Sequence, residues 1–422
     1  MTEVSFADVV HQSITFSTED KAEALLLKLI DDPWFQRLRD VSQTANTRLV
    51  YMFSEHSRFG HCIGVAYLAK LAMDRLMLDY PKDIAEHRTA VLVAALLHDV
   101  GHLAPGSHTA FKTWFPGQKD SHERIAEKVI LESSTIRKLL DDYSKDLVNQ
   151  VVSILGERDD TPPWAWQLIS GGGWNVDRGN WSTVDSILAG VSYGKYNIPA
   201  LIDSIIITPD KQMGLRENRL DAMMHFVVSR HAMYRQMYQH RVLLGADTLN
   251  KAAVLRAKSL RDNLEFCDET MHAVLSAENA EELSLSVIFQ MREAWWRYHI
   301  LRWSKSSDPI LSDLSRRIID RRLFKTLRTN GEEQTERLIE KAKSEMVRLG
   351  LDPTYYLHVV STADVHAGDW EQALLVQQYD GSLQTLGEAE PLFRQMAEDS
   401  RSSKKTWLVL PADCKTQLNI AR

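Results

Sequence analysis

The sequence predicts a mainly α protein, a large helical body followed by a small mixed α/β segment at the C-terminal end. Three observations carry this. Apolar residues recur at helical spacing along most of the chain, as in Ile63, Val65, Leu68, Leu71, Ala72 and Leu76. The run from Ala90 to Leu97 is uniformly apolar and reads as a helix buried on most sides. Only after Asp352-Pro353 does the pattern turn to short β-branched and aromatic runs closed by turn residues. The expected division is 1–350 for the helical body and 351–422 for the α/β segment.

With 422 residues the chain can bury a large core. Its hydrophobic (44%) and charged (25%) fractions are those of an ordinary globular protein. Lys and Arg number 50 against 57 Asp and Glu, a net charge of -7. That balance argues against a general nucleic-acid coat, so an anionic substrate must be met by a local cluster of Arg, Lys or metal. Cys62, Cys267 and Cys414 are too widely spaced, and odd in number, for a disulfide framework or a zinc finger. The first residues lack the basic and apolar stretches of a signal peptide, and no apolar run approaches the ~18 residues of a membrane span. The expectation is a cytoplasmic protein with no membrane contact.

In chain order, residues 21–30 carry a helical apolar stripe, and Asp32-Pro33 starts a helix through Leu38. A third helix begins near His61. A central helix occupies 88–99, after which Gly101 and Pro105-Gly106 break the pattern and leave His102 and His108 on a loop. Ser121 reads as the N-cap of a helix from His122 to about Glu132. Residues 156–180, with Thr161-Pro162-Pro163, three tryptophans and Gly171-Gly172-Gly173, read as a loop-rich insertion leading to Asp177. Helix resumes over 216–258, and long polar helices are expected over roughly 278–349. Strands are expected at 356–360, at 373–379 before an Asp380-Gly381 turn, and at 407–411. No internal repeat or low-complexity tract is present.

The most specific signal is the order His61…His98-Asp99…Asp177. A carboxylate and an imidazole side by side at a buried helix end are poor core residues and good ligands for a divalent metal. His61 begins one helix and His98-Asp99 ends another, so an antiparallel pair would join them, with Asp177 arriving from the loop. Such a metal polarises a phosphoryl group and lowers the pKa of bound water. Arg230, Tyr234, Tyr238 and Arg241, spaced by four, four and three, fall on one helical face.

With these residues in place the chain resembles the HD phosphohydrolase superfamily, and more narrowly the deoxynucleoside triphosphate triphosphohydrolases and their bacterial relatives. Phe35-Gln36-Arg37-Leu38-Arg39 with Gln43 is similar to the family's FQRLR…Q segment. His56-Ser57-Arg58-Phe59-Gly60-His61 resembles H-x-RF-x-H, and His98-Asp99-Val100-Gly101-His102 with Ser107-His108 resembles HD-x-GH…SH. Ser121-His122-Glu123, Asp177-Arg178 with Asp185, and Arg230 with Tyr238, His240 and Arg241 are similar to later family segments. The resemblance implies an HD-domain helical body with its core at about 33–245.

By that resemblance, His61, His98, Asp99 and Asp177 would bind one divalent metal ion, with Mn, Fe, Mg, Zn, Co and Ni all open. His102, His108 and His122 would act on the phosphates as catalytic groups. Arg58, Arg178 and Arg230 would hold phosphate oxygens, Tyr238 and Asp185 would contact sugar and base, and Gln43 would lie near the sugar 3′ position. The implied reaction is hydrolysis of a (deoxy)nucleoside triphosphate at the α-phosphate to nucleoside and triphosphate. A nucleotidase or DNA-end nuclease on the same site, and a nucleotide-sensing protein with an inactive site, stay open beside it. Expected partners are a nucleotide, single-stranded DNA as a further candidate, and copies of the chain itself in a homo-oligomer. The chain departs from the family pattern at Thr44, Gly60 and Trp181, and at Lys112, where an acidic partner of a catalytic histidine is expected.

Overall fold

The computed structural model describes residues 2–106, 109–362, 374–402 and 405–418. The functional region is built on two antiparallel helices, Arg58–Leu76 and Pro81–Leu97, joined by the short turn at 77–80. The second starts at Pro81, earlier than its apolar run suggests, because Pro81 takes the first helical position and Ile84 alone anchors the polar opening turns. From Ala90 to Leu97 every residue is buried. The helices Lys21–Ile30, Leu147–Leu155 and Val176–Leu188 pack around this pair.

Gly101 allows the next element to reach the site. A Cβ there would lie 2.1 Å from the His122 carbonyl and 2.4 Å from the Ala126 nitrogen, both backbone atoms of the His122–Glu132 helix. Only glycine lets that helix press its first turn against the residues after His98-Asp99. The helix spans the expected residues, but Ser121 makes no capping bond. The Asp120 carboxylate accepts from the His122 backbone N–H instead.

Other differences from the sequence expectation are local. An antiparallel hairpin, β1 (Glu3–Asp8) and β2 (Gln12–Ser17), precedes the first helix and buries Ile14 and Phe16 on it. Residues 278–349 form shorter helices, Leu285–Gln290, Glu293–Trp303 and Pro309–Ile319, before the single long polar helix Glu332–Arg348. Pro309, capped by Asp308, restarts the helix there. Two further sheets are small. One has the order β3 (Ile205–Ile207), β4 (Met213–Arg216), β7 (Leu375–Gln377), β8 (Leu383–Thr385); β4 and β7 run parallel. The other places β9 (Lys405–Leu410) between β5 (Lys325–Thr329) and β6 (His358–Thr362), antiparallel to both. The three late strand regions are therefore present, and their partners β3, β4 and β5 carry too few residues for period-two alternation to stand out. No helix among the described residues is long and apolar enough to cross a membrane.

The Gly101→Ala variant is expected to lose on the order of 3 kcal/mol in urea denaturation, the upper end for overpacking, because the obstructing atoms are backbone. Gly60→Ala, where nothing lies within 4 Å, is the control. It should be neutral or stabilise by up to about 1 kcal/mol.

Candidate metal centre and catalytic cleft

His61 lies in the first turn of the Arg58–Leu76 helix, and His98-Asp99 directly follows the Pro81–Leu97 helix. Asp177 is not on a loop. It is the second residue of the Val176–Leu188 helix, whose N-terminus is capped by the Asn175 side chain accepting from the Arg178 N–H. Asn175, fully buried, also donates to the Gly171 carbonyl, so the glycine-rich stretch ends in a rigid helix start.

The four side chains converge. His61 Nε2 lies 3.0 Å from Asp177 Oδ1 and 3.6 Å from Asp99 Oδ2; His98 Nε2 lies 3.4 Å from Asp99 Oδ1 and 3.6 Å from Asp177 Oδ1. Ligand atoms sharing one ion at ~2.1 Å sit about 3.0–3.4 Å apart in octahedral or tetrahedral arrangements. Two of the observed spacings fall in that range and two lie 0.2 Å beyond it. Each imidazole is also set in the right tautomer. His61 Nδ1 donates to Asn180 Oδ1 (2.9 Å) and His98 Nδ1 donates to the Ala95 carbonyl (2.9 Å), which turns both Nε2 lone pairs inward. His98 Nε2 is buried and has no hydrogen-bond partner, as an unfilled ligand atom would. Asn180 reaches His61 because Gly64 leaves room: a Cβ there would stand 2.3 Å from the Asn180 amide. The residues fit a divalent metal. Burial alone would lower the His98 pKa, but Asp99 and Asp177 outweigh it and raise it to about 9. Asp177, half-buried, hydrogen-bonded by His61 and with the His98 ring 3.6 Å away, is held well below the usual carboxylate range.

Two more histidines face Asp99 from the other side. His102 Nε2 lies 3.1 Å from Asp99 Oδ1, and the His102 and His122 rings stack with centroids 4.0 Å apart. Their environments differ. Burial, then Arg58 and His122, depress His102 to about 3, so it is neutral. Burial also works against the charge on His122, but Asp120, accepting from its Nδ1 at 2.8 Å, and Glu123 raise its pKa. The acidic partner that Lys112 does not supply is thus Asp120, two residues before the histidine it holds. Arg58 donates to Asp99 Oδ2. His108 lies outside the described residues.

A cleft of about 570 Å³, counting its open mouth, runs from these groups past Gln43, Trp181, Asp185, Tyr234 and Tyr238. Asp185 accepts from the Tyr238 hydroxyl and from His56 Nε2 at 2.7 Å, a fixed chain along one wall. Trp181, Tyr234 and Tyr238 meet edge to face with centroids 5.2–5.9 Å apart. Tyr234 and Tyr238 belong to a π-turn (Tyr234–Tyr238) that ends the Leu220–Met233 helix, so both aim into the cleft while Arg241 starts a separate helix, Arg241–Ser259. The single helical face expected for all four residues is therefore split. Arg230 is buried with its guanidinium 5.0 Å from the Tyr234 ring centre, and Arg178 donates to the Gly171 and Gly173 carbonyls. Beyond Gln43 and Tyr238 a side recess is lined by Thr44, Asn46 and Asp247, whose carboxyl accepts from the Asn46 amide at 2.7 Å. Sequence reasoning missed Asp120, Asn180 and Asp247, ordinary polar residues whose contacts with His122, His61 and Asn46 appear only in space.

Residues 58–169 match the family model of the HD domain. The chain is 28% identical over 410 residues to the uncharacterized protein YwfO of Bacillus subtilis, covering 95% of this chain and 91% of that one. It is 26% identical over 389 residues to the deoxynucleoside triphosphate triphosphohydrolase SAMHD1 of Danio rerio, spanning 80% of this chain and 58% of that relative. Among solved structures, a phosphohydrolase from Bacteroides thetaiotaomicron shares the fold with a TM-score of 0.81 at 24% identity, covering 97% of this chain and 99% of that one. A hypothetical protein from Aquifex aeolicus superimposes with a TM-score of 0.72 at 25% identity, covering 99% and 100%.

Because His98 must shed a proton held with a pKa of about 9 before it can ligate, metal affinity should rise with pH. Titration of the metal-free protein with Mn²⁺ should show a gain approaching tenfold per pH unit between pH 6.5 and 8.5. A flat profile would contradict the proton's placement. Asp247 gives a second test. Burial outweighs the Asn46 hydrogen bond and raises this half-buried carboxyl from 3.8 to about 6. A folded pKa above the unfolded one means the fold disfavours the carboxylate, so stability is lost as pH rises from 3.8 through about 6 and stays lower above it. Asp247→Asn should therefore be more stable than the parent at pH 8, by on the order of 1 kcal/mol, with the gap closing near pH 4 in thermal melts.

Proposed function

As the chain belongs to the HD superfamily of metal-dependent phosphohydrolases, we propose that its cleft hydrolyses a deoxynucleoside triphosphate at the α-phosphate, releasing nucleoside and triphosphate. The observation that carries this reading is the stacked pair of His102 and His122, one neutral and one proton-laden, set beside the same carboxylate as the ligand quartet. Paired groups whose environments push their pKa values apart take different roles.

His61, His98, Asp99 and Asp177 would hold the ion, which when bound polarises a phosphoryl oxygen and makes hydroxide available near neutral pH. The protein's own residues do the rest. His122, held by Asp120, donates its proton to the departing 5′ oxygen as the oxygen of water bonds to the phosphorus and the P–O5′ bond breaks, and the proton that the water loses recharges His122. His102, neutral, hydrogen-bonds Asp99 through Nε2 and keeps that carboxylate fixed. Arg58 balances the charge of Asp99 and stands at the cleft where phosphate oxygens would lie, with Nε unpartnered. On the nucleoside side, the Tyr238–Asp185–His56 chain presents a hydroxyl to the sugar, Gln43 closes the 3′ side, and Trp181 and Tyr234, edge to face, form an aromatic wall for the base. The relative named as a deoxynucleoside triphosphate triphosphohydrolase supports this substrate class.

The test is product analysis with each of the four deoxynucleoside triphosphates, with ribonucleotides and single-stranded DNA in parallel, on protein of measured metal content. Triphosphate release supports the reading; nucleoside monophosphate or shortened DNA overturns it. Asp120→Asn should lower kcat about tenfold or more while leaving metal content unchanged, since it removes the charge that keeps His122 protonated. Unaltered kcat would remove His122 from the role of proton donor.

A further inference from the structure

Arg37 is fully buried, with no exposed surface, and has no ion pair among the described residues. Its guanidinium is spent on four backbone carbonyls. Nη2 donates to His102 (2.8 Å) and Met291 (3.0 Å), Nη1 to Val100 (3.4 Å) and Nε to Phe289 (3.3 Å). Two of these acceptors lie in the loop that follows His98-Asp99. The other two lie near the end of the Leu285–Gln290 helix, about 190 residues further along the chain. A second buried ionisable group holds the same loop from the same side. Glu293, 7% exposed, accepts from the Gly106 N–H at 2.5 Å, and between them the Ala104 N–H donates to the Met291 carbonyl at 3.3 Å.

Burying a guanidinium without a carboxylate is unfavourable, and an apolar side chain would fill the space at less cost. What the guanidinium supplies is a rigid planar fork of five donors, able to tie several carbonyls from separate segments at fixed angles. Lysine, a point charge on a flexible stem, cannot span the same four acceptors.

We propose that Arg37 and Glu293 are positioning residues for the hydrolytic reaction: together they clamp loop 100–106 to segment 289–293 and so fix His102 against Asp99 and His122. The HD body alone does not complete the site; a segment far outside residues 58–169 sets the orientation of one of its histidines. A displacement of about 1 Å in such a group is enough to cost a hundredfold in rate. The inference rests on His102 acting in the cleft, as in the reading above, but not on which nucleotide is bound.

The experiment is a double-mutant cycle between Arg37→Lys and His102→Ala in the metal-loaded full chain. Turnover is read with the deoxynucleoside triphosphates and with bis(p-nitrophenyl) phosphate as a generic phosphodiester probe. Arg37→Lys is expected to lower kcat about tenfold or more with KM within about twofold and bound metal unchanged. In the His102→Ala background the same substitution should have no further effect on kcat, because its action runs through that ring. Independent, multiplying losses would overturn the positioning role while leaving His102 in place. Full activity of His102→Ala would overturn both. Should Arg37→Lys fail to fold, Glu293→Ala enters the same cycle with the same two outcomes, and Glu293→Gln, which keeps an acceptor for the Gly106 N–H, should recover most of the lost kcat.

Discussion

The Asp99 carboxylate is the point on which the site depends. It is buried at the end of the Pro81–Leu97 helix, whose residues from Ala90 to Leu97 are all buried, and an isolated charge there is strongly disfavoured. Its charge survives because Arg58 donates to one oxygen while His98 and His102 lie within 3.4 Å of the other. These neighbours outweigh burial and hold it well below the usual carboxylate range. Removing one of them would leave a desolvated anion short of a partner, which is why the surrounding residues form a set rather than a collection of separate contacts. The same carboxylate touches the ligand quartet on one side and the histidine pair on the other.

Everything structural around Asp99 serves to bring backbone close without side-chain bulk. Gly64 admits Asn180 to His61, and Gly101 admits the first turn of the His122–Glu132 helix. Each close approach then carries a hydrogen bond that selects a tautomer or a charge: Asn180 for His61, Ala95 for His98, Asp120 for His122. Packing and protonation state are thus determined by the same few backbone contacts.

How much of this was legible in the sequence follows from what each residue needed. His61, His98, Asp99 and Asp177 stand out because their residue types contradict their apolar surroundings, and the structure brings all four together. The antiparallel pairing of their helices followed from His61 beginning one helix and His98-Asp99 ending the other. Asp177 read as a loop residue because glycines and prolines precede it; the cap that starts its helix comes from Asn175, whose role depends on a carbonyl four residues back. Asp120 was invisible for a related reason. Its sequence position, on a polar stretch after Pro116-Gly117, says nothing of a ring two residues later. The π-turn at 234–238 defeated the assumption of one continuous helix, since a single extra residue per turn sends Arg241 into a new element. Small strands such as β3 and β8 are three residues long, too short for alternation to be read.

The charge balance of the cleft constrains the order of events. Its lining carries four carboxylates, Asp99, Asp120, Asp177 and Asp185, against one guanidinium, Arg58. Two of the four, Asp120 and Asp177, face histidines, and Asp185 accepts hydrogen bonds from Tyr238 and His56. A polyphosphate approaching such a surface meets net negative potential in a confined space, which focuses the repulsion rather than diluting it. A divalent cation in the quartet and a proton on His122 reverse that balance at the place where phosphate must sit. On the reading proposed above, substrate affinity, and not only the chemical step, would therefore depend on the ion and on His122.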